Sequence, residues 1–319
     1  VKAIRVGIPG GPEAMEYTEV PTPRPEQGQV LVRIEAIGVN FIDVYHRTGL
    51  YPLPTPFTPG MEAGGVVEEL GAGVEGVEVG DRVCFQNLGT YAEYAVVAAE
   101  KLIPLPDGID SRTAAAALLQ GITAHYLSSS TYPLADGDTT LIHAAAGGVG
   151  GILVQMAKRR GAHVFATASS SKLDIVREAG ADVVIDYTSK DFEEEVMRET
   201  AGRGVDVVYD SVARDTFDRS LNCVTARGML VMYGNSSGPV PPFDVLRLAR
   251  GSIFLTRPVV AHHVRTREEL LTRTDELFSL ILSGAVRLRI DRELPLSEAA
   301  AAHRLLESRQ SAGKILLIP

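Results

Sequence analysis

Hydrophobic residues change their spacing three times along the chain, and each change marks a different kind of structure. Over the first hundred or so positions, short β-prone runs at 2–6, 29–37, 63–70, 81–85 and 91–97 are broken by Gly and Pro clusters such as PTPRPEQGQ and GAGVEGVEVGDRV. That pattern predicts a turn-rich, barrel-like β-structure. Residues 110–130 then carry alanines and leucines behind a cap-like Asp110 or Ser111, predicting one or two helices. From 139 onward, strand patterns at 139–144, 163–168, 183–186, 205–210, 229–234 and 252–256 alternate with helical patterns at 152–158, 192–200 and 216–224. Such alternation predicts α/β architecture, a parallel sheet with helices on both faces and ligand bound past the carboxyl ends of its strands. After Pro258 come a helix at 267–283, a strand at 286–294, a helix at 297–308 and a strand at 314–318. This tail is too short to fold alone, so it is expected to return and complete the first domain.

The turn between the first strand and helix of the alternating region carries the chemistry. It reads HAAAGGVGG, with glycines at 147, 148, 150 and 151. A G-x-G-x-x-G frame begun at Gly148 ends on Leu153, whereas A-x-x-G-x-x-G fits Ala144, Gly147 and Gly150. Set between strand and helix, and followed by a second strand, this is the unit that binds a dinucleotide. Glycine lets backbone N–H groups approach a pyrophosphate at the partly positive end of a helix. NAD sites usually place an acid about 20 residues further on. Here Ser169, Ser170, Ser171 and Lys172 stand there instead, which favours a 2′-phosphate and hence NADPH. Asp174, the nearest acid, falls within the next helical pattern and is expected to face solvent. Tyr187, Ser211, Gly234, Asn235, Ser236 and Ser237 follow successive strands and suggest the rim of a cofactor cleft.

Composition narrows the class. With 319 residues, 45% of them hydrophobic, the chain can bury a large core and its length suggests two domains. A net charge of −9 argues against a broad nucleic-acid surface. No apolar run approaches the 18 or so residues of a membrane helix, and the expectation is a cytoplasmic protein. Cys84 and Cys223 are too few for a disulfide framework or a four-ligand zinc site. In the β-rich part, GVNFIDVYHRTGLY (38–51) gathers Asn40, Asp43, Tyr45, His46, Arg47 and Tyr51 in a short helix-like turn, either a reaction site or a connecting helix with a solvated face. His46 is expected at the surface.

GVNFIDVYHRTGLYP, GMEAGGVV, VGDRV, HAAAGGVG, VVYDSVARDTF, RGMLVMYGNSSG and LLESRQSAGKILLIP, in that order and spacing, resemble the zinc-independent quinone oxidoreductases of the medium-chain dehydrogenase/reductase superfamily, the group that includes ζ-crystallin. The resemblance covers essentially the whole chain. It implies a GroES-like catalytic domain from residues 1–122 and 263–319, a Rossmann NADPH-binding domain at 123–262, and a homodimer paired through the Rossmann domains. It also implies an NADPH site drawn from Asn40, Tyr45, Thr123, Gly147, Gly148, Val149, Ser170, Lys172, Tyr187, Ser211, Asn235, Ser237 and Arg309. Lys172, Tyr187 and Arg309 would hold the 2′-phosphate, with Tyr51 at the substrate mouth.

The zinc-dependent branch places a cysteine within the segment occupied here by 38–43 and a histidine in a G-H-E motif. This chain has Asn40 and Gly60-Met61-Glu62, so no metal site is expected. Without a Lewis acid a secondary alcohol is a poor substrate. The expected reaction is reduction of a quinone or an α,β-unsaturated carbonyl compound, with Asn40, Tyr45 and Tyr51 at the reacting centre and Asn40 and Tyr51 donating hydrogen bonds to the substrate oxygen. Glu62 is expected to be a structural carboxylate. A competing class is a cofactor-binding protein with an RNA-binding or structural role, as in ζ-crystallin relatives.

Overall fold

The computed structural model describes residues 1–319. They form two compact units, one of Val1–Gln120, Thr266–Gly284 and Leu288–Pro319, the other of Gly121–Arg265 and Ala285–Arg287. In chain order the β-rich portion contains β1 (Lys2–Val6), β2 (Met15–Glu19), β3 (Gln29–Val39), α1 (Phe41–Thr48), β4 (Glu62–Leu70), β5 (Arg82–Gln86), β6 (Tyr94–Ala98), β7 (Ile103–Pro104) and α2 (Ser111–Tyr126). The alternating region contains β8 (Thr139–Ile142), α3 (Gly148–Arg159), β9 (His163–Ala168), α4 (Leu173–Glu178), β10 (Val183–Asp186), α5 (Phe192–Glu199), β11 (Val205–Asp210), α6 (Phe217–Cys223), β12 (Val224–Met232) and β13 (Phe254–Thr256). The chain closes with α7 (Arg267–Leu282), β14 (Ile290–Pro295), α8 (Ala299–Glu307) and β15 (Lys314–Ile318).

In the first unit β3 is the spine. Its near half pairs antiparallel with β6, its far end pairs with the C-terminal β15, and β4 runs along much of its length. Val30, Val32 and Ile34 alternate into one core with Val67, Val83, Phe85, Tyr91, Ala95 and Leu317. Each such aliphatic side chain, fully buried, contributes about 1.5–3 kcal/mol. The tail returns to this sheet as β15, whose Ile315 pairs with Val39.

The second unit is an all-parallel six-stranded sheet in the order β10-β9-β8-β11-β12-β13. Counted from its own first strand this is 3-2-1-4-5-6, the doubly wound order in which the direction of strand addition reverses between β8 and β11. Leu141, Phe165, Ile185, Val208 and Leu230 build its core with Phe192, Phe217 and Leu221 from the helices. Asp191 caps α5 by accepting from the Glu193 and Glu194 N–H groups, the local reason the charged run FEEEVMRE starts as a helix.

Some expected boundaries shift, for physical reasons. The strand expected over 286–294 begins only at Ile290, because the Gln155 side chain pairs with Arg287 as a strand would. Its Oε1 accepts from the Arg287 N–H at 2.8 Å and its Nε2 donates to the Arg287 carbonyl at 3.0 Å. The strand expected at 91–97 begins at Tyr94, with Ala92 bridging Ala3 alone. β2 and β7 carry no alternation strong enough to announce them.

Candidate functional site

The glycine turn lies where the sheet reverses. β8 ends at Ile142, Ala144 adopts a left-handed backbone (φ 51°), and Gly147 precedes the first residue of α3. The Ala144 carbonyl accepts from the Gly147 N–H at 2.9 Å, folding the turn tightly onto the strand. Gly150 is the position that admits no side chain, since a Cβ there would lie 2.4 Å from the Ala144 oxygen and 2.8 Å from the Ala145 Cα. The A-x-x-G-x-x-G reading therefore has a steric basis. The first turn of α3, carrying Gly148 and Val149, presents N–H groups that have no partners within the helix.

Beneath this turn is a buried polar network that sequence reasoning missed. His143 Nδ1 lies 3.0 Å from Thr167 Oγ1 and its Nε2 lies 3.0 Å from Ser220 Oγ. Ser220 and Thr216 each donate to Asp210 Oδ2 at 2.7 Å, and Asp210 Oδ1 accepts from the Val212 and Ala213 N–H groups. Because the Ser220 proton is given to Asp210, His143 Nε2–H donates to Ser220 and Nδ1 accepts from Thr167. Burial lowers the His143 pKa, consistent with this neutral tautomer. The residues come from β9, β11, α6 and the position following β8, so the network ties together the strand ends flanking the reversal.

At the next strand ends the expected residues fall into groups. Ser170 and Lys172 form a single helical turn after β9, and Tyr187 follows β10 with its N–H bonded to the Ala168 carbonyl. Asp174 is exposed on α4, as expected. Sequence reading missed Asp186, at the end of β10, whose carboxylate accepts from Ser170 Oγ at 2.6 Å and from Thr188 Oγ1 at 2.6 Å. These hydroxyls hold its pKa down at about 2. An anion therefore stands in the group that the spacing rule reads as acid-free. Ser211 accepts at its carbonyl from the Ser236 N–H, placing the loop with Asn235 beside β11. Ser237 is buried and its hydroxyl is engaged by the Val212 carbonyl and the Asp215 N–H, so it shapes this loop. Thr123 lies on α2, and Arg309, exposed and left-handed (φ 59°), lies just past α8 in the first unit.

The first unit has its own polar centre, built around the start of α1. Asn40 precedes the helix, and its backbone N–H donates to Asp43 Oδ2 at 2.8 Å. Its side-chain amide is fully engaged: Nδ2 donates to the Gly38 carbonyl (3.2 Å) and to Glu62 Oε1 (2.6 Å), while Oδ1 accepts from Lys314 Nζ (2.9 Å) and Gln120 Nε2 (3.3 Å). Glu62 is wholly buried, with Oε1 also on Lys314 Nζ and Oε2 on the Leu119 N–H. Gly38 makes room for it, because a Cβ at 38 would meet Glu62 Oε1 at 2.3 Å. Lys314, only 2% exposed, had no sequence signal, since its partners lie more than 250 positions away.

A second chain of bonds runs through the same helix. Arg47 is buried, makes a paired contact with Glu307 (2.8 and 2.9 Å) and lies 3.1 Å from His303 Nδ1. Tyr91 Oη lies 3.0 Å from both His303 Nε2 and Asp43 Oδ2. Guanidinium can only donate, so Nδ1 accepts, Nε2–H donates to the Tyr91 oxygen, and the Tyr91 hydroxyl donates to Asp43. Asp43 Oδ1 is buried with no hydrogen-bond partner. Burial raises the Asp43 pKa to about 7 and, with Arg47, lowers that of His303 to about 3.

The aromatic residues of the segment pack on the other side of α1. Tyr45 is buried, edge-on to Tyr51 at 5.2 Å between ring centroids and tilted against Phe41 at 6.1 Å. His46 corrects the expectation of a surface residue: it is 8% exposed, edge-on to Tyr51, and its Nδ1 has no partner. Nowhere do three or more His, Cys, Asp or Glu groups assemble as metal donors. At the position homologous to the zinc site, Asn40 and Glu62 are already satisfied by an ammonium, so the residues present do not fit a zinc ion.

Comparison with known proteins matches residues 26–107 to the alcohol dehydrogenase GroES-like domain and residues 148–275 to the zinc-binding dehydrogenase family. The chain is 45% identical to a quinone oxidoreductase of Pseudomonas aeruginosa, covering 100% of this chain and 99% of the relative. It is 42% identical to a 2-haloacrylate reductase of a Burkholderia species, over 97% of the chain and 96% of the relative. Among solved structures, Escherichia coli quinone oxidoreductase complexed with NADPH superimposes with a TM-score of 0.98 at 42% identity, covering all of both chains.

Proposed function

Because the chain belongs to the zinc-independent quinone oxidoreductases of the medium-chain dehydrogenase/reductase superfamily, we propose that it is an NADPH-dependent quinone reductase. The observation that carries the acceptor class is the charge balance around Glu62. Its carboxylate is neutralised by Lys314, so no metal-strength electrophile is available to hold an alkoxide. A quinone asks less, because its conjugated oxygens take up the charge that arrives with hydride.

Bound NADPH would supply that hydride; the chain holds and orients. The N–H groups at the start of α3, with Gly147, Gly148 and Val149, are the pyrophosphate cradle. Ser170, Lys172, Tyr187 and Arg309 are assigned to the adenosine 2′-phosphate, Thr123, Ser211, Asn235 and Ser237 to the nicotinamide half, and Tyr45 to the edge shared by cofactor and substrate. With both Asn40 side-chain N–H bonds committed internally, Asn40 orients the segment, and the donor to the acceptor oxygen in this reading is the Tyr51 hydroxyl. Ser170 would turn its proton from Asp186 to the phosphate, with Lys172 offsetting the nearby anion.

The decisive assay follows oxidation of NADPH and NADH with ortho- and para-quinones, 2-alkenals and, in reverse, simple secondary alcohols. Quinones should turn over and alcohols should not; Lys172→Ala should cut the NADPH-over-NADH preference about tenfold, the worth of one charge-assisted hydrogen bond. Rapid alcohol turnover with inert quinones would overturn the reading. The 2-haloacrylate reductase relative favours conjugated carbonyl compounds as a second acceptor class, which the alkenal arm measures.

The same reading includes a homodimer formed through the second unit. Its edge strand β13 carries Phe254, and nearby Val245 and Leu246 are also largely exposed. It includes a cytoplasmic setting, with which two buried, unbridged thiols agree, and no nucleic-acid partner, given the net charge of −9.

A further inference from the structure

The Asn40 carboxamide has two possible orientations, related by a half-turn, that fill the same space. Here its environment separates them. The oxygen faces the Lys314 ammonium and the nitrogen faces the Glu62 carboxylate. The flipped amide would set N–H against N–H at the Lys314 end and oxygen against oxygen at the Glu62 end, inside a domain where water cannot soften the conflict. The ion pair thus acts as a polarised clamp, and Asn40 is the residue from which α1 starts, ahead of Tyr45 and Tyr51. No sequence neighbour could hold the amide this way, because Lys314 arrives on β15 and Glu62 on β4.

We propose that Lys314 is a positioning residue for quinone reduction: its ammonium, paired with Glu62, locks the Asn40 carboxamide in one orientation and with it the start of the substrate-facing segment Asn40 to Tyr51. The buried cation is a fixed internal charge held between Asn40 and Glu62. This rests on the reading of that segment as the acceptor site.

The test replaces both charges at once, Lys314→Met with Glu62→Gln, because losing one partner alone strands the other in the core. A glutamine at 62 must also present its amide nitrogen to one of two donors, the Leu119 N–H or Asn40, so the clamp's bias is removed or reversed. In the double variant kcat with 1,4-benzoquinone should fall about tenfold or more, the scale of a small misplacement at a reacting centre, and by a larger factor than NADPH affinity, measured by fluorescence titration. Adding Asn40→Ala should cause no further loss, because both changes act through one amide. An unchanged kcat, or losses that multiply, would overturn the proposal. Side-chain amide NMR of Asn40 reads the clamp without turnover: its resonances should shift or broaden in the double variant, and identical spectra would also refute it. If the wild-type protein reduced no quinone, the functional reading would fail while this spectroscopic arm still decided the clamp.

Discussion

Asp43 and His303 are two buried titratable residues joined through one tyrosine, and burial moves their pKa values in opposite directions. Asp43, raised to about 7, binds a proton in the folded state that the unfolded chain has released, so its contribution to stability is full below about pH 4 and is lost as pH climbs to 7. His303, lowered to about 3, stays neutral when folded while the unfolded imidazole is protonated below about 6.5, so its contribution grows as pH rises from 3 to 6.5. Across the shared window the two slopes oppose each other. Asp43→Asn removes one of them. Relative to wild type, the thermal midpoint of Asp43→Asn should rise more steeply between about pH 4 and 6.5, measured by calorimetry. Parallel curves for the two proteins would show that Asp43 is already ionised in the fold.

At the scale of the element, the strand, glycine turn and helix that begin the second unit depend on one missing methyl group. Gly150→Ala would push a Cβ into the Ala144 carbonyl and the Ala145 Cα, neither of which can yield without moving the turn. The expected cost is about 1–3 kcal/mol of stability. NADPH affinity should fall more than quinone KM rises, because the displaced N–H groups belong to the pyrophosphate cradle; fluorescence titration and steady-state kinetics separate the two. This element was legible in the sequence because everything that defines it is local: β-prone residues, closely spaced glycines, then helical periodicity. The same locality explains why β9, β10, β11 and β15 have the bounds their patterns predict. The polar centre of the first unit was only half legible. Asn40, Tyr45 and Tyr51 sit in one short segment, but their supports, Glu62, Tyr91, His303 and Lys314, are scattered along the chain and become neighbours only when β15 and α8 return. His46 misled for a related reason. A histidine between Tyr and Arg looks polar in sequence, whereas Tyr51 covers its ring in the fold. Asp186 escaped because the spacing rule looks after β9, while this acid approaches the same serine from the end of β10.

For the molecule as a whole, the question is what covers the edge of the parallel sheet. β13 pairs with β12 on one side only, leaving a row of backbone donors and acceptors on the other. An edge strand left open invites pairing, and monomeric proteins usually blunt it with charge or proline. Here the strand reads Phe254-Leu255-Thr256, with Phe254 58% exposed and Leu246, 74% exposed, on the preceding turn. A second copy of the chain laid antiparallel on this edge would continue the sheet and bury both apolar side chains, each worth about 1.5–3 kcal/mol. A two-fold axis applies each contact twice, which makes the pairing sensitive to a single substitution. Phe254→Lys combined with Leu246→Asp should therefore convert a dimer to a monomer by light scattering at micromolar concentration. The circular dichroism spectrum should stay that of wild type, since neither residue contributes to the core. A wild-type protein that is already monomeric, or a double variant that remains dimeric, would remove β13 as the pairing edge.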